Sequence, residues 1–467
     1  MEGKTVRKKF SKGAAVTALV VAVSALAIPQ TASADTTTLG TITSDQAWTD
    51  TAGHSLEAHG AGIFQVGSTY YMVGEDKTAG STFTAVACYS STNLSSWTRQ
   101  ANALSQQASG DLSATAIVER PKVIYNASTQ KYVMYMHIDN TSYSEARVGV
   151  ATSSTPCGPY TYLGSSQPLG FQSRDMGLFQ DTDGTAYLLS EDRVHGLRID
   201  KLSSDYLSVV SSVTVFQDLE APAMVKVNGV YFLFASHLTG WATNDNVYAT
   251  ATSLSGPWSS FSDFATAGSN TYNSQTSFVL PILGSATTSY MYIGDRWNAN
   301  NLNASLPIWL PVNIGGTSAS VGFVEQWTIS TATGVSTALS SSLIGVGSGR
   351  CIDVSGGATA NGTKVALYNC NKQENQQFLL TAAGELRVYG LSKCLDVYKN
   401  QNPAGSVVGI WDCNGGTNQQ WTLNSNGSIS TVSTGLCLDV TNGSTGNGSA
   451  IGTSACNGGS NQKWTKG

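Results

Sequence analysis

The tetrapeptide CIDV at residues 351–354 recurs as CLDV at residues 394–397 and again at residues 437–440, so its cysteine returns every 43 residues. A second cysteine and a glutamine keep the same period, at Cys370, Cys413 and Cys456 and at Gln376, Gln419 and Gln462. Residue series that share one register indicate three copies of one structural unit. A period in the forties also occurs in propeller blades, but three copies are too few, and the paired cysteines favour three compact lobes around a pseudo-threefold axis.

Each unit ends in a Gln-X-aromatic motif, at residues 376–378, 419–421 and 462–464. Together with the cysteines, this pattern resembles the ricin-type β-trefoil lectins, carbohydrate-binding module family 13, over residues 340–467. The resemblance implies one disulfide within each unit, joining Cys351 to Cys370, Cys394 to Cys413 and Cys437 to Cys456. We interpret the glutamine and the aromatic residue of each motif as core scaffold.

The three units differ in their candidate sugar-binding residues. A sugar site needs a carboxylate that accepts hydrogen bonds from hydroxyl groups, an aromatic face for stacking, and an amide. The first two units supply all three groups, as Asp353, Tyr368 and Asn375 and as Asp396, Trp411 and Asn418. The third unit has Asp439 but carries Ser454 in place of the aromatic residue, so we predict a structural lobe without a sugar site.

The chain begins with the features of a secretory signal peptide. Basic residues precede an apolar run at residues 14–28, and Ala32, Ser33 and Ala34 form a small-X-small cleavage signal. We therefore expect residues 1–34 to be removed and the protein to be secreted. A net charge of −5 without a basic block offers nothing to nucleic acid or an anionic membrane, so we expect neither as a partner.

Residues 35–332 contain aromatic strands at irregular intervals and almost no helical periodicity. The aromatic runs lie at residues 70–73, 132–135, 186–189, 230–234 and 290–293. Several are followed by a second strand and another aromatic residue, which indicates five similar multi-strand units. The sequence predicts an all-β protein, with a five-bladed β-propeller followed by the trefoil; the alternative for the first domain is a β-sandwich.

Three acids lie at or just before the predicted first strand of a multi-strand unit, at corresponding places in three of the five units. Glu119 lies in ERPK, Asp175 precedes MGLF, and Glu220 lies in LEAP. In a propeller, acids at equivalent blade starts converge on one axial pocket. A group of carboxylates is what glycosidic bond cleavage requires.

These motifs resemble glycoside hydrolase family 43 over residues 45–330. The segment where that family carries a general base, residues 58–64, reads AHGAGIF and has no acid. This gap resembles the exo-β-1,3-galactanase subgroup, as do ERPK at residues 119–122 and Ser274-Gln275. The implied activity is inverting hydrolysis of β-1,3-galactan from the non-reducing end.

The resemblance also implies roles for individual residues. Glu220 would be the general acid, with a pKa raised by neighbouring Asp175. Gln275 would position the attacking water, and because an amide is a poor base, either Gln275 acts through its imidic tautomer or Glu119 assists. The alternative for Glu119 is a structural acid paired with Arg120. The residues expected to line the pocket for the terminal galactose are Glu75, Arg120, Tyr143, Asp175 and Thr239.

Other features leave alternatives open. The five histidines show no metal-ligand spacing, so we expect no catalytic metal and no cofactor. Cys88 and Cys157 form either a fourth disulfide or two buried thiols. We expect a monomer acting on a polysaccharide. The competing functions are an α-L-arabinofuranosidase or β-xylosidase, which the missing base disfavours, and a non-catalytic lectin.

Overall fold

The structure is a computed structural model that describes residue 1 and residues 38–389, 391–398 and 403–467. The signal peptide expected at residues 1–34 lies outside the described residues apart from Met1. Strand β1 is Leu39–Thr43. Beyond it, residues 59–321 form five antiparallel sheets that follow one another along the chain.

Each of the five sheets is built from strands that are consecutive in sequence. The first contains β2 (His59–Val66), β3 (Thr69–Glu75), β4 (Ala85–Ser91), β5 (Thr98–Arg99) and β6 (Leu104–Ser105). The second contains β7 (Ala116–Asn126), β8 (Lys131–Asn140), β9 (Arg147–Ser153) and β10 (Thr161–Ser166). The third contains β11 (Met176–Gln180), β12 (Ala186–Asp192), β13 (Gly196–Leu202) and β14 (Val209–Val215). The fourth contains β15 (Leu219–Val227), β16 (Val230–His237), β17 (Val247–Ala251) and β18 (Ser262–Asp263). The fifth contains β19 (Gln275–Leu283), β20 (Thr288–Arg296), β21 (Leu306–Gly315) and β22 (Ser318–Val321).

The first strands of these sheets contact one another in a cycle. Strand β2 contacts β7, β7 contacts β11, β11 contacts β15, β15 contacts β19, and β19 contacts β2 again. The aromatic runs found in the sequence lie in the second strands, β3, β8, β12, β16 and β20. Apolar clusters fill the spaces between neighbouring sheets, as where Tyr135 of β8 packs with Met176 of β11. Because these strands are covered on both faces, their sequences are continuous apolar runs instead of alternating ones.

A further sheet joins the two ends of this region. Strand β1 pairs with β23 (Gln326–Ser330), which pairs with β24 (Ser336–Ala338). Helical structure within residues 38–389 is limited to short turns. They are α1 (Asn270–Asn273) and the 3₁₀ turns Gly110–Leu112, Pro168–Gly170, Leu302–Ala304, Ser355–Gly357 and Glu374–Gln376.

The strands that follow form three four-stranded sheets among the described residues. They are β25 (Leu343–Gly345), β26 (Cys351–Val354), β27 (Val365–Tyr368), β28 (Leu379–Leu380), β29 (Leu386–Val388), β30 (Lys393–Val397), β31 (Val408–Asp412), β32 (Trp421–Leu423), β33 (Ile429–Thr431), β34 (Cys437–Val440), β35 (Ile451–Ser454) and β36 (Trp464–Lys466). The remaining 3₁₀ turns are Thr417–Gln419, Thr441–Gly443 and Ser460–Gln462. Strand β25 pairs with β36, so the first and last strands of the region meet.

One apolar core serves all three repeat units. Phe378, Trp421 and Trp464, the aromatic residues of the Gln-X-aromatic motifs, are buried in it together. The motif glutamines, Gln376, Gln419 and Gln462, are also fully buried. These positions are scaffold, as we interpreted from the sequence.

Four disulfides connect the chain. Three join Cys351 to Cys370, Cys394 to Cys413 and Cys437 to Cys456, the pairs that the lectin resemblance implies. The fourth joins Cys88 of β4 to Cys157, which decides between the two states that the sequence left open. Within the described residues, no helix has the length and apolar character needed to cross a membrane.

Candidate active site

A cavity of about 190 Å³ opens where the first strands of the five sheets converge. Its lining residues are Glu75, Glu119, Arg120, Tyr143, Asp175, Arg193, Glu220, Gly240, Trp241, Gln275 and Trp297. Seven of the eight residues expected in a pocket from the sequence are therefore brought together, and Thr239 is the exception.

Backbone irregularities aim these side chains into the cavity. The pairing register shifts directly after Glu119 in β7, after Glu220 in β15 and after Thr276 in β19. At the first two shifts the next residue has a positive φ, 50° for Arg120 and 53° for Ala221. Register shifts of this kind bend a strand and redirect its side chains, and they are common beside active sites.

Glu220 and Gln275 lie side by side in the cavity lining and are hydrogen-bonded. Gln275 Nε2 donates to Glu220 Oε1 over 2.9 Å. Gln275 Oε1 accepts from Arg120 and, over 2.9 Å, from Trp297 Nε1. With both donors on the oxygen, the orientation of the amide is fixed, and Nε2 keeps one hydrogen for another acceptor.

Glu220 is set up to hold a proton. Burial raises the pKa of its carboxyl to about 8, the negative charges of Asp175 and Glu191 add to that increase, and Arg120 and Arg193 oppose it. The contribution of Asp175 was predicted from the sequence, but burial is the larger cause. A carboxyl group that stays protonated near neutral pH can act as a general acid.

Glu119 has the opposite surroundings. It accepts hydrogen bonds from Lys77 Nζ at 3.3 Å and the Tyr143 hydroxyl at 2.9 Å, and His137 Nδ1 lies 3.4 Å from its other oxygen. Burial opposes the charged form of Glu119, but these groups outweigh burial and lower its pKa well below the usual range. Its ion-pair partners are thus Lys77 and His137. The pairing with Arg120, one of the alternatives predicted from the sequence, does not form.

Arg120 pairs instead with Asp175, with 3.0 Å between Nε and the Asp175 carboxylate. Its Nη1 also donates to the backbone carbonyl of Thr276 over 2.9 Å. Its backbone N–H donates to Glu75 Oε1 over 2.8 Å. Glu75 in turn pairs with Lys77 at 2.6 Å.

The packing around Glu75 explains why the segment where family 43 has its general base contains glycine. A Cβ atom added at Gly60 would lie 2.2 Å from Glu75 Oε1, and Gly60 has a φ of 56°. Strand β2, all of whose residues are described, contributes no side chain to the cavity lining. His59 lies beside Glu57 and Asp295 instead, at 3.5 and 3.9 Å.

Thr239 is the expected pocket residue that does not line the cavity. Its hydroxyl donates to the carbonyl of Ala242 over 2.5 Å and accepts from Asn244, so it shapes the turn that carries Trp241. Trp241, Trp297 and Arg193 line the cavity but were missed by the sequence analysis. Trp241 meets Trp297 edge to face, with ring centroids 5.5 Å apart.

A cluster of three carboxylates, which includes that of Glu220, has the composition of a cation site. Oxygens of Asp175, Glu191 and Glu220 lie within 4.8 Å of one another. Arg193 already pairs with Glu191 at 2.7 Å, and Arg120 with Asp175. Because two guanidinium groups compensate these charges, the cluster is better explained by control of the Glu220 proton than by a bound metal.

The three trefoil units repeat one polar arrangement. In each unit an aspartate accepts hydrogen bonds of 2.7 to 2.9 Å from a neighbouring asparagine and from the buried motif glutamine. The aspartates are Asp353, Asp396 and Asp439, and the asparagines are Asn375, Asn418 and Asn461.

The units differ in the aromatic surface beside the aspartate. Tyr368 and Trp411 are exposed in the first two units, and the third has Ser454 in β35. The second unit also exposes Tyr398, whose ring centroid lies 6.3 Å from that of Trp411 and which the sequence analysis did not identify.

Comparison with known proteins gives two family matches. Residues 57–276 match the model for glycosyl hydrolases family 43, and residues 340–464 match that for the ricin-type β-trefoil lectin domain. A crystal structure of an exo-β-1,3-galactanase from Clostridium thermocellum has 33% sequence identity and a TM-score of 0.64, and the match covers 91% of this chain and 99% of that chain.

Two further solved structures are similar. The exo-β-1,3-galactanase of Phanerochaete chrysosporium, crystallised with galactose, has 37% identity and a TM-score of 0.64 over 81% of this chain and 92% of that one. A family 43 β-1,3-galactosidase with galactodeoxynojirimycin has 30% identity and a TM-score of 0.57 over 61% of this chain and 99% of that one.

The raised pKa of Glu220 predicts a pH-dependent stability difference. The folded protein holds this proton more tightly than the unfolded chain, whose glutamate has a pKa near 4.5, so the contribution to stability is lost as pH rises from about 5 to about 8. Glu220→Gln cannot ionise, and its melting temperature relative to wild type should therefore increase by a few degrees across this range.

The measurement is thermal unfolding of both proteins at several pH values. Asp175→Asn, which removes one negative charge beside Glu220, should weaken the pH dependence. Parallel curves for wild type and Glu220→Gln would contradict the raised pKa.

Proposed function

The chain belongs to glycosyl hydrolase family 43 and carries a ricin-type β-trefoil lectin domain, and on that basis we propose that it is a secreted exo-β-1,3-galactanase. In this proposal the five sheets are the blades of a β-propeller whose axial pocket cleaves galactose from non-reducing ends. The trefoil, residues 340–467, holds the enzyme on galactan. The observation that supports the proposal most directly is that Gln275 and the buried carboxyl of Glu220 line one cavity to which the fully described strand β2, where other members of the family would carry a carboxylate base, contributes no residue.

The dimensions of the pocket favour an exo-acting enzyme. A cavity of about 190 Å³ is suited to a single sugar ring rather than to an extended chain. Glu75, Arg120 and Tyr143 supply polar groups for the hydroxyls of that ring, and Trp241 and Trp297 supply aromatic faces at its edge.

The proposed mechanism is a single displacement with inversion. Glu220 protonates the glycosidic oxygen as the bond to the leaving sugar breaks. Gln275 then holds the attacking water on the opposite face of the sugar, which requires that its 2.9 Å contact with Glu220 opens when the sugar enters. The water oxygen bonds to the anomeric carbon and releases its proton to solvent, from which the Glu220 carboxylate is reprotonated. Glu119 is a poor proton acceptor because its lowered pKa makes it a weak base, so we assign it to the ion-pair network that holds Lys77 and Tyr143.

The absence of a carboxylate from β2 at the pocket argues against the arabinofuranosidase or β-xylosidase alternative. The convergence of Glu220, Asp175 and Gln275 on one cavity argues against a non-catalytic lectin. The four disulfides fit an oxidising extracellular environment. Two competent lectin units would increase residence on a polymer by raising the effective concentration of the enzyme.

The first prediction from this mechanism concerns Glu220→Gln, which removes the proton donor without changing side-chain volume. We expect kcat on β-1,3-galactan to fall by about 10²- to 10⁴-fold, the usual contribution of general acid catalysis. Glu145→Gln is the matched control, because Glu145 pairs with Arg147 outside the pocket and should keep normal activity. Retention of more than about a tenth of the wild-type kcat by Glu220→Gln would contradict the assignment.

A second prediction concerns stereochemistry. Proton NMR of early hydrolysis should show α-galactose as the first product, because water attacks the face opposite the β-linked leaving group. Gln275→Ala should reduce kcat on a scale comparable with loss of the acid, and Glu119→Gln should reduce it less. Initial β-galactose would instead require a covalent intermediate and a carboxylate nucleophile.

A third prediction separates the lectin units. Asp396→Asn should weaken retention in affinity electrophoresis on galactan more than Asp439→Asn does. The two aspartates accept equivalent hydrogen bonds, so each variant controls for the structural cost of the other. The expected difference comes from Trp411, for which the third unit has only Ser454. An equal or reversed order would overturn this assignment.

A further inference from the structure

The end of strand β20 connects the active-site cavity to the trefoil. Asp295 of β20 is paired in register with Gln275 of β19. The next residue, Arg296, contacts the trefoil, and the one after it, Trp297, donates the hydrogen bond to Gln275 Oε1. Asp295 thus pairs with the strand that carries Gln275, Arg296 contacts the trefoil, and Trp297 contacts the Gln275 side chain.

The backbone that leads into Gln275 is strained. The four residues of α1, Asn270 to Asn273, all have positive φ values, between 50° and 57°, and none is glycine. Such a conformation is unfavourable for a non-glycine residue and persists only where neighbouring groups hold it. Gln275 follows this turn by two residues, so its position depends on what holds the turn.

Arg296 is one of the groups that hold it. The guanidinium uses three nitrogens on three different segments: Nε donates to the carbonyl of Tyr272 in α1 over 2.9 Å, Nη1 pairs with Asp45, and Nη2 donates to Glu374 Oε2 over 2.9 Å. A planar guanidinium can satisfy three fixed acceptors in this way, whereas an ammonium group cannot reproduce the same geometry.

The trefoil partner belongs to the first sugar-binding unit. Glu374 opens the turn Glu374–Gln376, whose Asn375 and Gln376 donate hydrogen bonds to Asp353. Two backbone contacts lie close by. Thr266 Oγ1 donates to the carbonyl of Asn371 over 3.0 Å, and Phe323 N–H donates to the carbonyl of Lys372.

We propose that Arg296 is a positioning residue for Gln275 and that Glu374 of the trefoil holds Arg296 in place. The lectin domain then supports the chemical step as well as retention on the polymer. This inference rests on the proposed function, because it assigns its effect to the water-positioning role of Gln275.

The test uses full-length protein and β-1,3-galactobiose, a soluble substrate that provides no polymer for the trefoil to hold. Glu374→Gln should lower kcat about 10-fold and Arg296→Gln more, with KM changed less than about twofold, since a small displacement of a positioned group is costly in rate. Arg296→Lys should recover part of the loss. Glu145→Gln again serves as the control for loss of one glutamate charge, because its partner Arg147 lies in β9, away from the cavity.

A second readout does not depend on the substrate. The indole N–H resonance of Trp297, assigned with Trp297→Phe, should shift in Glu374→Gln and Arg296→Gln and remain unchanged in Glu145→Gln. Lower thermal stability in Glu374→Gln and Arg296→Gln, with unchanged kcat and an unshifted Trp297 resonance, would show that the contact only holds the domains together and would overturn the proposal.

Failure of the wild-type protein to cleave galactobiose would contradict the proposed function instead. In that case an unshifted Trp297 resonance in both variants would still overturn the link from the trefoil to Gln275, and a shifted one would support it.

Discussion

A single buried residue, Arg120, joins four of the five sheets. Its side chain contacts Asp175 before β11 and Gln275 and Thr276 of β19, and its backbone N–H binds Glu75 at the end of β3. Burial disfavours the charged guanidinium, but the surrounding carboxylates outweigh burial and raise its pKa, so it stays charged. Because removal of one partner would leave a buried charge uncompensated, this network constrains the four sheets that it joins.

The same cavity contains two carboxyl groups whose pKa values shift in opposite directions. Glu220 is buried beside Asp175 and Glu191, which favours its neutral form. Glu119 is buried beside Lys77 and His137, which favours its charged form. In the proposed function, this separation is why Glu220 is the candidate acid and Glu119 a structural group. Only 12% of the residues are charged, and several of them surround this cavity. Burial there strengthens the interactions between their charges.

The sequence predicted which strands carry the site residues more accurately than it predicted the contacts of those residues. Aromatic runs identified the second strands, and the positions of Glu119, Asp175 and Glu220 relative to those runs placed them at one end of the first strands. The register shifts after Glu119 and Glu220 could not be predicted, because they depend on pairing with the neighbouring strand and on positive φ values at non-glycine residues.

Contacts between segments distant in sequence were also missed. Trp297 follows a strand end and has no local motif, and its contacts with Gln275 and Trp241 join segments distant in sequence. Thr239 was expected to line the pocket and does not, because a sequence does not say which way a loop side chain points. Its hydroxyl instead stabilises the turn before Trp241. By contrast, the trefoil units could be predicted in detail from the sequence, because the residues that make the contacts within one unit recur in the other two.

That repetition separates folding from binding within the trefoil. Asp439 accepts the same two hydrogen bonds as Asp353 and Asp396, although its unit lacks the exposed aromatic residue. The aspartate, asparagine and glutamine thus make the same contacts in every unit, whether or not an exposed aromatic residue lies beside them, and the shared core draws on all three units. An exposed aromatic residue beside the aspartate contributes little to that core, so replacing it with serine removes stacking surface without disturbing the fold. The third lobe can therefore support the other two through the shared core whether or not it binds sugar.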